Sequence, residues 1–98
     1  MISKSYSKNR TSCRVTFKVP KGLEAQSVAL LGDFNEWEAD AHPLTNRKDG
    51  SWSTTVSIKA ANEYRFRYLV DGETWINDEG VDELVPNRFG GQDGLLEL

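Results

Sequence analysis

Cysteine is nearly missing from this chain: Cys13 stands alone among 98 residues, so no disulfide can close within it. No apolar stretch approaches the length that a bilayer crossing needs. The first residues, Met1-Ile2-Ser3-Lys4-Ser5-Tyr6, lack the apolar run of a secretory leader. A reducing cytoplasm is the compartment these absences lead us to expect. Asn9-Arg10-Thr11 matches a glycosylation sequon and is then a chance match. Positive charge is also in short supply, with a net charge of −3 and a pI of about 5.1. Duplex nucleic acid and anionic membrane both select basic surfaces, so neither is expected as a partner; a neutral ligand such as a sugar suits this balance. Sustained helical periodicity is absent too. The only histidine, His42, lies in a loop with no cysteine or second histidine near it, and neither a metal nor another cofactor is expected.

What is present is enough for one domain. Four phenylalanines, three tyrosines and three tryptophans argue for a folded core despite a charged content of 28%. A domain of this size has little room for a deep enclosed active site. Residues 1–12 are polar and are expected as a loosely held arm with at most a short edge strand, leaving 13–98 as the single domain. Cys13 to Val19 alternates cleanly, with Cys13, Val15, Phe17 and Val19 on one face. Ser27 to Leu31 is almost wholly apolar and reads as a central strand covered on both sides. Pro43 bars a central strand in the irregular stretch that follows, where Leu44 is expected to anchor the chain to the core. Ser51 to Ile58 alternates with Trp52, Thr54, Val56 and Ile58 inward. Glu63 to Val70 does the same with Tyr64, Phe66, Tyr68 and Val70. Thr74 to Asn77 reads as a return strand, Asp78 to Arg88 as acidic and irregular, and Leu95 to Leu98 as a terminal strand. Short strands with regular turn signals make an all-β sandwich.

Two loops carry the chemistry. Leu30-Leu31-Gly32-Asp33-Phe34-Asn35-Glu36-Trp37 begins as a buried strand, breaks at Gly32 and ends on a tryptophan in a polar setting. An indole there offers a flat apolar face on which the C–H side of a sugar ring can stack. Trp75 follows the hairpin signal Asp71-Gly72. If that loop has two residues, Trp75 stands opposite Tyr68 and faces the core. If Asp71-Gly72-Glu73 is a three-residue loop, it stands opposite Leu69, on the face of Arg67; one residue of slip reverses every side chain. Arg67 is a forked donor suited to hydroxyls or, equally, part of a solvated strand face, and Arg65 reads as solvated. Phe89, beside Gly90-Gly91, is an apolar knob over a ligand or a plug for the open end of the sandwich. Asp78, Glu79, Asp82 and Glu83 read as a solvated acidic loop, without the spacing of a calcium site.

In order along the chain, Gly-Asp-Phe-Asn-x-Trp, Tyr-x-Phe-Arg-Tyr-Leu-Val-Asp-Gly, Trp-x-Asn-Asp and Pro-Asn-x-Phe-Gly resemble carbohydrate-binding module family 48. This is the early-set, immunoglobulin-like domain at the N-terminus of isoamylases and glycogen branching enzymes, and the glycogen-binding domain of the AMP-activated protein kinase β-subunit. The resemblance runs from about Val15 to Leu98 and is nearest to small bacterial proteins in which the domain stands alone. It implies an immunoglobulin-like sandwich and an α-glucan site. Trp37 and Trp75 match the family's tryptophans. Arg67 falls where the kinase-type domains carry a lysine, Phe89 where they carry a leucine, and Asp93 where they carry an asparagine. The last is a departure, since a carboxylate accepts hydrogen bonds but cannot donate as an amide does.

The expected function is non-catalytic binding of α-1,4-glucan, with Trp37 and Trp75 stacking, Arg67 and Asp93 contacting hydroxyls and Phe89 as an apolar side contact. The alternative is a protein-interaction module of the same fold that docks onto a glucan-metabolising enzyme, a reading that a buried Trp75 would favour. Carboxylates such as Asp33 and Glu36 do not suggest hydrolysis, because that chemistry needs two carboxyls facing across a cleft. A monomer is expected.

Overall fold

The computed structural model describes residues 2–78, 80–81, 83–87 and 90–98. Among them nine strands form two antiparallel sheets that face each other as a sandwich. The first sheet has the order β1-β2-β5-β4, with β1 Ile2–Tyr6, β2 Ser12–Val19, β4 Thr45–Asn46 and β5 Trp52–Lys59. The second runs β3-β6-β9-β8, with β3 Val28–Gly32, β6 Glu63–Val70, β8 Glu83–Pro86 and β9 Gln92–Glu97. One long edge of β6 is shared: its first half pairs with β9, and its second half with β7 (Thr74–Ile76).

The alternating patterns explain the layers. Cys13, Val15, Phe17 and Val19 of β2, and Trp52, Val56 and Ile58 of β5, point inward from one sheet. Val28 and Leu30 of β3, Phe66 and Tyr68 of β6 and Leu96 of β9 meet them from the other. Phe17 and Phe66 pack edge to face at 5.2 Å between ring centroids, bridging the sheets at the centre of the core. Leu44 is buried in this core, as its lone apolar character in a polar loop predicts.

Several elements differ from expectation. β3 is an edge strand of its sheet, not a central one. Its free edge is covered by the following loop, where Leu30 N–H donates to His42 O and Leu44 N–H to Val28 O. An apolar run records burial and cannot tell a neighbouring strand from a loop that covers the same edge. The short edge strand allowed for in the N-terminal arm is present, Ile2–Tyr6 pairing along β2. β8 forms inside the acidic stretch read as irregular, with Pro86 at its end, where a missing N–H costs least. β9 begins at Gln92, ahead of Leu95.

Asp78 is also a correction. It is buried, and its Oδ2 accepts the Tyr68 hydroxyl at 2.6 Å while Oδ1 accepts Gly80 N–H. Burial, reinforced by that carboxylate, pushes the Tyr68 phenol far above its ordinary range. Of the rest of that acidic group, Glu83 is exposed in β8, and Glu79 and Asp82 lie outside the described residues.

Candidate functional site: an aromatic groove on the outer face of the second sheet

Gly32 ends β3 because the chain must pass very close to β6. A Cβ at this position would lie 2.7 Å from the Arg65 carbonyl oxygen and 2.8 Å from the Phe34 ring. The chain then makes a single 3-10 turn over Asp33–Asn35. Phe34 anchors that turn inward, 5.8 Å from Phe17 and 6.0 Å from Tyr64 between ring centroids. Asn35 organises it. Its Oδ1 accepts the backbone N–H groups of Gly32 and Trp37, and its Nδ2 donates to Leu30 O. Those partners fix the amide's orientation, so Asn35 Nδ2 also faces His42 Nδ1, at 2.9 Å. Glu36 and Trp37 are both left-handed, at φ 57° and 59°, a backbone that L-residues adopt only when neighbours hold it.

Trp75 reaches the same place from the other side. Thr74 pairs with Val70 and Trp75 with Leu69, so the connection is the three-residue loop Asp71-Gly72-Glu73. Asp71 and Gly72 both take positive φ, and Glu73 N–H closes the turn on Val70 O. Asp71 Oδ1 also accepts Gln26 and Ser27 N–H, tying the hairpin to the connection before β3. This register sets Trp75 on the outward face, 42% exposed.

The two indoles meet at 6.3 Å between centroids with their planes inclined at 60°. The Arg67 guanidinium lies 5.5 Å from the Trp75 ring centroid, a cation–π contact. Arg67 Nε is buried without a hydrogen-bond partner among the described residues. A groove of about 700 Å³ runs over this face, lined by Leu31, Asp33, Trp37, Arg65, Arg67, Trp75, Asn87 and Asp93. Asp93 is buried at its far side. Its Oδ1 accepts Asn87 Nδ2 at 3.1 Å, and its Oδ2 lies 3.9 Å from Arg65 Nη1, which also donates to Pro86 O. Among the described residues of the lining, two arginines face two aspartates.

Trp37, Trp75, Arg67 and Asp93 are thus brought together, and Phe89 lies outside the described residues. Arg65, read as solvated, is exposed and borders the groove beside Asp93, and Asp33 and Asn87 are further members that sequence reasoning missed. Arg65 had a signal, since it shares Arg67's parity on β6. The carboxylate and amide had none, because their place depends on where β3 and β8 stop. Among the described residues, those that line the groove offer aromatic faces for stacking and guanidinium, amide and carboxylate groups for hydrogen bonding.

Residues 8–86 match the family model of carbohydrate-binding module 48, the isoamylase N-terminal domain. The 1,4-alpha-glucan branching enzyme GlgB 2 of Xanthomonas campestris pv. campestris is 33% identical over 67 residues, covering 63% of this chain and 9% of that enzyme. The branching enzyme GlgB of Aquifex aeolicus is 30% identical over 77 residues, covering 78% of this chain and 12% of that enzyme. The branching enzyme of Aspergillus oryzae is 43% identical over 37 residues, covering 38% of this chain and 5% of that enzyme. The chain therefore spans only a small part of the length of these relatives.

Proposed function

The chain belongs to the carbohydrate-binding module 48 family, and from that premise we propose that it binds α-1,4-glucan without acting on it, in the groove of Trp37, Trp75 and Arg67. The observation that carries this reading is the pair of touching indoles, Trp75 exposed and Trp37 half-buried, beside the Arg67 guanidinium. An indole face stacks on the apolar side of a glucose ring, and the Arg67 guanidinium in the groove lining carries further N–H donors for ligand hydroxyls. Asp93 is the acceptor at the far side, its charge offset by Arg65 and its Oδ1 bonded by the Asn87 amide. Asp93 supplies only acceptance, so donation to the sugar falls to the guanidinium.

The inclination of the two indoles bears on linkage. Planes at 60° make a bent surface. An α-1,4-linked chain turns from one glucose to the next and can follow such a surface, whereas a β-1,4-linked chain is a flat ribbon that meets one ring at a time. The outward Trp75 also weakens the protein-docking alternative, which drew its support from a buried one.

The test is an NMR titration of the whole chain with maltoheptaose and, separately, cellohexaose, following backbone amides and indole N–H groups. Saturable shifts confined to the loops of Trp37 and Trp75 and to β6 are expected with the α-linked sugar only. An open groove leaves much of the sugar wet, so affinity in the micromolar to millimolar range is expected, roughly 4 to 8 kcal/mol. No shift at millimolar maltoheptaose would sink the reading, and equal response to both sugars would sink the linkage argument.

A further inference from the structure

Both tryptophans belong to the groove, but they are held in different ways. Trp75 has its ring under the Arg67 guanidinium. The Trp37 indole is held by a hydrogen bond: Nε1 donates to Asp33 Oδ1 at 3.0 Å. The same carboxylate uses its other oxygen, Oδ2, to accept the backbone N–H of Arg65 at 2.9 Å. Arg65 stands one residue beyond the last β3–β6 pair, Gly32 with Phe66. Asp33 therefore takes an N–H of β6 just where β3 has ended, and joins the loop indole to the strand that carries Arg67.

We propose that Asp33 is a positioning residue that sets the direction in which Trp37 presents its ring, and that this indole takes part in recognition by its face alone. The role rests on the glucan-binding reading above. The backbone of Trp37 is tethered through its N–H to Gly32 O and Asn35 Oδ1. Those bonds leave the two side-chain torsions open, and the bond to Asp33 closes them together with the packing against the Trp75 ring. A carboxylate bonded to the strand at one oxygen and the indole at the other works as a rigid spacer, because charge-assisted hydrogen bonds are the strong ones. The same bond occupies the only donor an indole has. A sugar hydroxyl that needs a donor must then turn to another side chain of the lining, and Arg67, stacked beside Trp75, is the one that stands next to the indoles.

The decisive comparison uses the whole chain, labelled with nitrogen-15, as wild type, Asp33→Ala and Asp33→Asn. In the free wild type, the Trp37 indole N–H is expected to exchange with solvent about tenfold more slowly than that of Trp75. In Asp33→Ala the two rates converge, the ring-to-ring NOEs between Trp37 and Trp75 disappear, and the dissociation constant for maltoheptaose rises about tenfold. Asp33→Asn keeps one acceptor for two N–H groups and is expected to fall between. It also carries the test if the alanine variant does not fold. Equal indole exchange in the wild type, or unchanged NOEs and affinity in the variants, would overturn the role. If the wild type binds no maltoheptaose, the glucan reading fails, and the exchange rates and NOEs of the free proteins still decide whether Asp33 directs Trp37.

Discussion

Three tryptophans in one short chain show how little the residue type decides alone. Trp52 is 6% exposed in the core, Trp37 is half-buried over a turn, and Trp75 is 42% exposed. Strand parity gave the inward position of Trp52, and the polar loop gave the outward drift of Trp37, so both were legible. Trp75 was legible only as a choice between two loop lengths, because a hairpin signal fixes the turn more firmly than the count of residues in it. The contacts of Asp33, Arg65 and Asn87 were not legible, since each depends on partners distant in the chain. The exposure of Trp75 makes a prediction at this scale. Trp75→Ala should leave folding nearly intact, losing about 1 kcal/mol or less, mainly the contact with Arg67. Its affinity for maltoheptaose should fall by about 2 kcal/mol, roughly thirtyfold, as expected for an aromatic anchor. Urea unfolding beside a sugar titration checks both halves. A variant that loses stability and affinity together would mean that Trp75 is a structural residue.

At the scale of elements, the long strands were readable because their alternation is a direct record of two unlike faces. β2, β5 and β6 follow it almost residue by residue. The elements that were missed owe their existence to backbone pairing more than to side-chain pattern. β8 carries Glu83 and Pro86 and has mostly exposed side chains, but it pairs along β9 from Glu83 to Pro86. Burial does not record such an edge. The junction of β3 with the turn is the element on which the groove depends, and Gly32 is its tightest point. A methyl group there would meet the Arg65 carbonyl oxygen at 2.7 Å and the Phe34 ring at 2.8 Å. Neither neighbour yields easily, one being backbone in β6 and the other an aromatic wedged against Phe17. Gly32→Ala should therefore cost about 1 to 3 kcal/mol in urea unfolding. It should also shift the Trp37 amide resonance, because Trp37 N–H is bonded to Gly32 O. A variant as stable as the wild type, with Trp37 unmoved, would show that the turn has room to relax.

For the molecule as a whole, short alternating strands with regular turn signals foretold a sandwich and the aromatic content a folded core, and the second sheet carries the groove on its outer face. What composition concealed is that one acid, Asp78, is inside, with its carboxylate bonded to the hydroxyl of core residue Tyr68. This pair gives global stability a pH dependence whose sign can be worked out. The folded phenol is pushed above its ordinary value of 10.0, first by burial and then by Asp78. The folded state thus holds the proton that the unfolded state releases. The contribution is full below about pH 10 and is lost as pH rises from there toward the folded value. A single such group gives a slope of at most about 1.4 kcal/mol per pH unit. The informative quantity is the difference between wild type and Tyr68→Phe. At neutral pH the variant should be less stable by about 1.5 to 3 kcal/mol, because Asp78 loses a charge-assisted donor. Above pH 10 the wild type should lose stability faster, and the two urea midpoints should converge. Parallel curves through that range would mean that Tyr68 ionises as readily in the folded protein as in the unfolded chain, and that its hydroxyl is open to water.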